Sequence, residues 1–216
     1  MTEMNEIIEE IKEDVRLEQL IKFWKKYANL IIISLLSIIL ITAGSVFWEH
    51  LKNQKNLKHA SLYEAALQAS DVNLPEKAKE ILESLKNEHD GYSVMAAFKK
   101  AHLSNISQEE RFKIYLNLSE DKKVEAKFRE LAVILWGYEG FENQDVHSLT
   151  KLLEPIANGT SIWRQSAIEL LGLLAIRQNN LKKAAELFKF LIEDRYASPS
   201  IKSRAMAYLE QIGALN

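Results

Sequence analysis

The chain has 216 residues, of which 47% are hydrophobic and 27% are charged, and its formal net charge is −2. This length suits one anchored domain, and the near-neutral charge gives no reason to expect a nucleic-acid partner. The sequence contains no cysteine, which excludes disulfides and thiolate sites, and its 7 glycines and 3 prolines are few enough to favour helices over a many-stranded sheet.

An amphipathic segment opens the chain. In residues 5–26 apolar side chains recur near helical spacing, which predicts a helix. We predict that residues 1–26 form a cytoplasmic amphipathic tail. We consider two roles for this tail. It is either a helix that lies on the membrane surface, which we favour, or a cytoplasmic contact or regulatory segment.

An apolar run follows this tail. Residues 27–48 form a 22-residue interval without a charged side chain. A helix needs about 20 apolar residues to cross a bilayer core of roughly 30 Å. Aromatic residues stand at both ends of the run, Tyr27 at one and Phe47 with Trp48 at the other, as is common at membrane interfaces. We therefore predict a transmembrane helix over residues 27–48, in contact with the lipid bilayer.

A cleaved signal peptide is the main alternative for this run. The small residues Thr42-Ala43-Gly44-Ser45 would suit a signal peptidase. Against cleavage, the run exceeds the usual signal core of about 7–15 residues, and the tail before it is long and acidic. Four basic residues precede the run closely and three follow it, a small difference that favours a cytoplasmic N-terminus. This orientation would place residues 49–216 outside the cytoplasm.

The remainder of the chain is predicted to be helical throughout. No segment shows the strict alternation of a half-buried strand, and short polar loops separate the periodic apolar segments. The fold class is therefore all-α, an N-terminal transmembrane helix followed by tetratricopeptide-like helical-hairpin repeats. The predicted helices cover residues 49–70, 75–85, 92–103, 108–118, 124–138, 146–156, 162–177, 181–193 and 200–209.

The hairpins recur at a period near that of the tetratricopeptide repeat, about 34 residues. In that repeat a small residue on helix A is followed twelve residues later by a small residue on helix B, and four residues after that by an aromatic residue. Residues 168–196 match best, through Gly172, Ala184 and Phe188. Small residues let the two helices approach, and the aromatic ring fills the space beside them.

Two further copies of the repeat are predicted. One has Ala66, Ala78 and Leu82 at the same spacing. A looser one would join residues 124–140 to residues 146–156. A generic helical bundle is the alternative, and it would share the helical periodicity without this spacing.

No motif for catalysis, metal binding or phosphate binding accompanies these helices. None of the five histidines has the spacing of a metal site, and there is neither a glycine-rich phosphate loop nor a nucleophile elbow. The fragment Glu88-His89-Asp90 looks like part of a site, although a solvated polar loop is the simpler explanation. We expect a protein that is not an enzyme and that uses no cofactor. An enzyme whose site no motif reveals is the remaining alternative, and nothing in the sequence supports it.

Three stretches carry a resemblance to a known family. They are residues 18–27 leading into the apolar run, the helix that contains Ala60, Leu62, Tyr63 and Ala66, and residues 163–209. This layout is similar to that of the ancillary subunit family of the bacterial SecYEG translocon.

The resemblance implies a single-pass inner-membrane protein whose tetratricopeptide-like domain, residues 49–216, lies in the periplasm. It implies association with the SecYEG translocon and with a membrane-bound periplasmic chaperone of the prolyl-isomerase type. Together these proteins would assist exported polypeptides as they emerge from the channel. A structural adaptor for envelope assembly or cell division, built on the same repeats, is the alternative function.

The partner-binding surface is predicted on helix A of each repeat. A concave surface of helix-A residues would hold a segment of the partner. Each candidate could instead be packed in the core or solvated. The candidates on the predicted helices are Tyr92, Phe98, Arg129, Trp136 and Arg177.

Overall fold

A computed structural model describes residues 2–86 and 91–214, without the side chains of residues 2–16, 18–20 and 31. The fragment Glu88-His89-Asp90 and the apolar side chains of the first 16 residues lie outside the described residues. No strand occurs in the described part of the chain, and the predicted all-α fold is confirmed. The helices are α1 (Thr2–Asp71), α2 (Pro75–Ser84), α3 (Gly91–Ala101), α4 (Gln108–Glu120), α5 (Ala126–Gly140), α6 (Val146–Asn158), α7 (Arg164–Arg177), α8 (Leu181–Glu193) and α9 (Pro199–Gln211).

The bounds of α2 to α9 agree with the predicted ones to within two residues. Local chemistry explains this agreement, since side-chain acceptors satisfy amide groups that have no partner in the first turn of a helix. Ser107 accepts a hydrogen bond from a first-turn amide of α4 at 3.1 Å, and Asp145 does the same for α6 at 2.8 Å. Pro75 and Pro199 occupy the first position of α2 and α9, where a missing N–H costs nothing.

The chain divides into two compact units, Met1–Lys58 and His59–Asn216. In the first unit α1 passes through the apolar run without a break. The described side chains of the run are largely exposed, with Ile41 at 72%. The hydroxyl groups of Ser37 and Thr42 donate to backbone carbonyls one turn earlier, both at 2.7 Å, which reduces their cost in an apolar medium. Among the described residues, α1 is the helix long and apolar enough to cross a membrane.

The second unit alternates two kinds of helix. Residues 59–71 of α1 together with α3, α5, α7 and α9 are helices A, and α2, α4, α6 and α8 are helices B. Successive helices pack against one another, and α5, α7 and α9 also pack side by side. The helices A from α3 onward begin at Gly91, Ala126, Arg164 and Pro199, at intervals of 35 to 38 residues. The predicted repeat period is therefore present in the structure.

The best predicted repeat, formed by α7 and α8, packs as its spacing indicated. Ala184 and Phe188 are completely buried, and the Phe188 ring lies directly against Gly172. A Cβ atom at Gly172 would come within 2.7 Å of two ring carbons. The glycine thus provides the space in which the aromatic ring packs between the helices.

The copy at residues 62–85, which contains Ala66, shares its local geometry with the copy at residues 168–196, which contains Gly172. Asn73 and Asn179 each lie seven residues after the small residue and adopt left-handed backbone, with φ of 60° and 58°. In the first turn the Leu74 amide donates to the Ala69 carbonyl, and in the second the Asn180 amide donates to the Ala175 carbonyl, both at 2.8 Å. Asparagine tolerates this conformation better than most residues do. The turn from helix A to helix B is therefore the same in both copies.

The looser predicted copy, α5 with α6, forms both helices but pairs them less closely. More of the packing of α5 is against α4, and more of the packing of α6 is against α7. A Cβ atom at Gly137 would come within 2.8 Å of Leu170 on α7. Gly137 therefore permits a close approach to the next helix A and not to helix B.

Candidate protein-binding groove

An open groove of about 310 Å³ lies on the helix-A face of the second unit. It is formed by the end of α1 together with α3 and α5. We call it the helix-A groove. Its lining residues are Tyr63, Met95, Phe98, Lys99, His102, Leu131 and Leu135.

Helical spacing brings these side chains to one face. Residues 95, 98 and 99 of α3, continued by His102 in the turn after the helix, follow the i, i+3, i+4, i+7 pattern of a single stripe. The neighbouring residues Val94 and Ala101 point into the core and are buried. On α5, Leu131 and Leu135 lie one turn apart and complete the opposite wall. Met95 remains 45% exposed, so the groove presents apolar surface to solvent.

Aromatic rings form one end of the groove. The ring centroids of Tyr63 and Tyr92 are 6.2 Å apart, which is within the range of favourable aromatic contact. Burial raises the pKa of Tyr63, which keeps its phenol neutral. Phe98 contacts Tyr115 behind it at a centroid distance of 6.5 Å. Of the predicted residues, Phe98 therefore lines this groove, and Tyr92 contacts the lining residue Tyr63 from outside it.

Lys99 gives the lining of the groove a positive charge, and His102 adds an imidazole beside it. Lys99 lies on α3 and His102 three residues later in the turn that follows it, and no carboxylate lines the groove among the described residues. The Nδ1 atom of His102 is 2.8 Å from the Phe98 carbonyl. A carbonyl can only accept, so Nδ1 carries the proton in this contact and Nε2 is directed elsewhere.

A carboxylate on α5, Glu139, is already engaged by its neighbours. Arg111 donates to it at 2.8 Å, and the Tyr115 hydroxyl donates to it at 3.0 Å. Burial, followed by the hydrogen bond to Glu139, raises the pKa of Tyr115 well above its ordinary value. The negative charge of Glu139 is therefore compensated by Arg111.

A polar cluster lies one turn beyond Leu135 along α5. The hydroxyl of Tyr138 donates to the fully buried carboxylate of Glu169 at 2.8 Å. Arg204 donates to the same carboxylate through Nε at 2.5 Å and Nη2 at 2.7 Å. These bonds connect three successive helices A. Burial is the main cause that raises the pKa of Tyr138, and the hydrogen bond to Glu169 raises it further. The hydrogen bond to Glu169 also raises the pKa of Arg204.

Two of the predicted partner-binding residues hold loops of the domain. Arg129 donates to the carbonyl of Val124 at 2.7 Å. Arg177 donates to the carbonyls of Phe141 and Gln144 at 2.6 and 2.7 Å. Both guanidinium groups are thus used inside the domain, and contact of either one with a partner stays a prediction.

The fifth predicted residue, Trp136, packs against the core between α3, α4 and α5. It is half-buried, and its Nε1 atom has no hydrogen-bond partner among the described residues. The structure does not bring Trp136 to the lining of the helix-A groove.

A second cavity, of about 360 Å³, lies between α2, α3 and α4. Lys100 bridges Glu83 at 2.7 Å and Glu110 at 3.3 Å across its rim. Hydrogen bonds from lysines, Lys100 to Glu83 and Lys79 to Glu110, lower the pKa of both carboxyl groups. Because these charges pair with one another, this cavity offers a weaker basis for selecting a ligand than the helix-A groove does.

Comparison with known proteins identifies the family. Residues 22–154 match the profile of the family described as tetratricopeptide repeat-like domain. The match covers more than half of the chain, includes the apolar run and contains every residue that lines the helix-A groove. No curated protein and no solved structure matches the chain. Helices α7 to α9 lie beyond the matched residues and continue the same alternation of helices A and B. The chain therefore belongs to the tetratricopeptide repeat-like domain family, whose domains typically act in protein–protein interaction and not in catalysis.

Proposed function

We propose that this chain is a membrane-anchored protein-binding subunit that holds a segment of its partner in the helix-A groove. The observation that carries the proposal is the groove itself, in which partly exposed apolar side chains such as Met95 line an open channel across three helices A. Stacked helical repeats present extended surfaces that suit peptide segments. An apolar channel with few polar groups supplies binding energy through burial.

We propose further that residues 27–48 cross the bacterial inner membrane and that the repeat domain lies in the periplasm. There it would act with the SecYEG translocon and a membrane-bound periplasmic chaperone to assist exported polypeptides. Three points support this finer proposal: the resemblance of residues 18–27 and 163–209 to the ancillary translocon family, the length of the apolar run, and the small excess of basic residues before it.

In-cell photocrosslinking from the groove tests the proposal. A photoreactive amino acid would replace Met95 or Leu131 in the full-length protein, and crosslinked partners would be identified by mass spectrometry. Lys182 and Lys189 are matched controls, because both are exposed on helix B α8, away from the groove. We expect translocon subunits and an exported chaperone from the two groove positions, and neither from the controls.

Each other outcome has a defined meaning. Envelope-assembly or division proteins in place of translocon subunits would support the adaptor function. Cytoplasmic partners alone would overturn the proposed orientation. Equal crosslinking from the groove and from α8 would reject the groove as the binding surface.

A further inference from the structure

The helix-A groove combines an apolar channel with basic charge. Met95 and Lys99 lie one turn apart on α3, which places their Cβ atoms about 5–6 Å from each other. An apolar side chain and a cation are therefore neighbours in the groove. His102 lies on the next turn of the same stripe. The described lining residues include no Asp or Glu that would offset the charge of Lys99.

Two described carboxylates on other helices A are already engaged by partners of their own. Glu139 is bound by Arg111 and Tyr115, and Glu169 is bound by Arg204 and Tyr138. Within residues 2–86 and 91–214, no ion pair with a carboxylate is formed by Lys99. The lysine is half-buried beside apolar side chains, where the lower local dielectric strengthens an interaction with an added negative charge.

We propose that the helix-A groove selects an acidic amphipathic segment, one that places apolar side chains in the channel and a carboxylate one turn away at Lys99. This inference rests on the proposed function and adds the chemical class of the partner. Complementary charge at the edge of an apolar interface raises the association rate and favours one partner, while a like charge disfavours others. Lys99 would repel a basic segment.

Two synthetic peptides test this selection. They have the same length and the same Leu and Phe positions at helical spacing, and differ only in having Glu or Lys one turn from the apolar residues. Binding to the full-length protein in lipid nanodiscs would be measured by fluorescence anisotropy. We expect the acidic peptide to bind about tenfold more tightly at low salt, a preference that shrinks as ionic strength rises.

Charge reversal at the groove provides the decisive variant. Lys99→Glu should invert the preference between the two peptides, and Lys99→Gln should remove it. Lys182→Glu makes the same charge change on α8 and should leave the preference unchanged. Circular dichroism before each titration confirms that the variant is folded.

The outcomes separate this inference from the proposed function. Equal affinity for both peptides, or an unchanged preference in the folded Lys99→Glu protein, overturns the charge selection. Crosslinks from Met95 in cells combined with either result would leave the proposed function standing. Absence of both peptide binding and cellular crosslinks from Met95 would overturn the proposed function itself.

Discussion

Glu169, which is completely buried, accepts two hydrogen bonds from Arg204, whose side chain is 44% exposed. The pair joins α7 to α9, and Tyr138 joins α5 to the same carboxylate. A buried carboxylate is costly unless charge and hydrogen bonds compensate it. The position of three helices A thus depends on one charge that has no access to water.

Replacing Arg204 tests this dependence. Arg204→Met should destabilise the domain by roughly 2–3 kcal/mol, below the cost of breaking a fully buried pair because Arg204 is partly solvated. For a domain of this size the melting temperature should fall by roughly 4–12 °C. Thermal unfolding followed by circular dichroism measures the change.

A double variant separates charge burial from packing. Glu169→Leu combined with Arg204→Met removes the buried charge together with its partner, and should recover much of the lost stability. A melting temperature unchanged by Arg204→Met alone would contradict the compensating role of the guanidinium.

The contact between Gly172 and Phe188 makes a second prediction. In Gly172→Ala the new methyl group would lie 2.7 Å from the ring, and overpacking of this kind costs about 1–3 kcal/mol. Gly91→Ala is the matched control, since no atom of the described residues lies within 4 Å of a Cβ atom there. Urea unfolding should show a lower midpoint for Gly172→Ala only, and Phe188→Leu added to Gly172→Ala should restore part of it. Equal midpoints for the two alanine variants would count against the close approach.

These two contacts also show what the sequence could and could not predict. Gly172 and Phe188 lie in one hairpin, and their spacing follows a known repeat, so their contact was predictable. Glu169 and Arg204 are 35 residues apart on different repeats, where pairing depends on the rotation of each helix. The sequence shows Glu169 as a charged residue within an apolar helix, but it does not show which residue pairs with it.

The groove was predictable only in part, for a similar reason. Tyr92 and Phe98 were predicted from their residue type and their place on a helix A. Met95 and Val94 are adjacent apolar residues, yet one is 45% exposed and the other is 8% exposed. Helix α3 is apolar on two faces, so its periodicity does not reveal which face meets the core. The packing of α3 against α2 and α4 decides which face is buried, and it leaves Lys99 on the groove side.

Asp194 makes a prediction about acid stability. The amide of Tyr196 lowers its pKa, with further lowering by Gln165 and Arg164 against the opposing effect of burial. A carboxyl with a lowered folded pKa stabilises the fold above the unfolded value, about 3.9, and this contribution disappears as pH falls through the folded pKa. Asp194→Asn keeps one oxygen for the Tyr196 amide but loses the oxygen that accepts from Gln165 and Arg164. It should therefore cost about 1 kcal/mol at pH 7, a typical value for a lost hydrogen bond.

The pH dependence of this variant is the informative measurement. Urea unfolding at pH 7, 5 and 3 should show a constant difference between Asp194→Asn and the unaltered protein at the two higher values. The difference should narrow at pH 3, because the unaltered carboxyl also becomes protonated. A difference that stays constant down to the lowest pH would contradict the lowered pKa.

The apolar run makes a prediction about membrane insertion. Leu36→Arg places a charge in the middle of the run, where insertion becomes less favourable by about 2.5–3.5 kcal/mol. Leu57→Arg, in a residue 71% exposed and outside the run, is the matched control. Extraction of membranes with alkaline carbonate should release more of the Leu36→Arg protein than of the control. Equal retention of both variants would argue against a membrane span centred on residues 27–48.

The bonds between successive repeats have a consequence for how the domain folds. Tyr138 reaches Glu169 across 31 residues, and Arg204 reaches it across 35, so each bond closes a loop of about one repeat. Loops of this size close at modest entropic cost, and proteins dominated by such near-neighbour contacts fold quickly. Each hairpin can therefore add to the one before it as the chain is made, and the early helices need not wait for the C-terminal end.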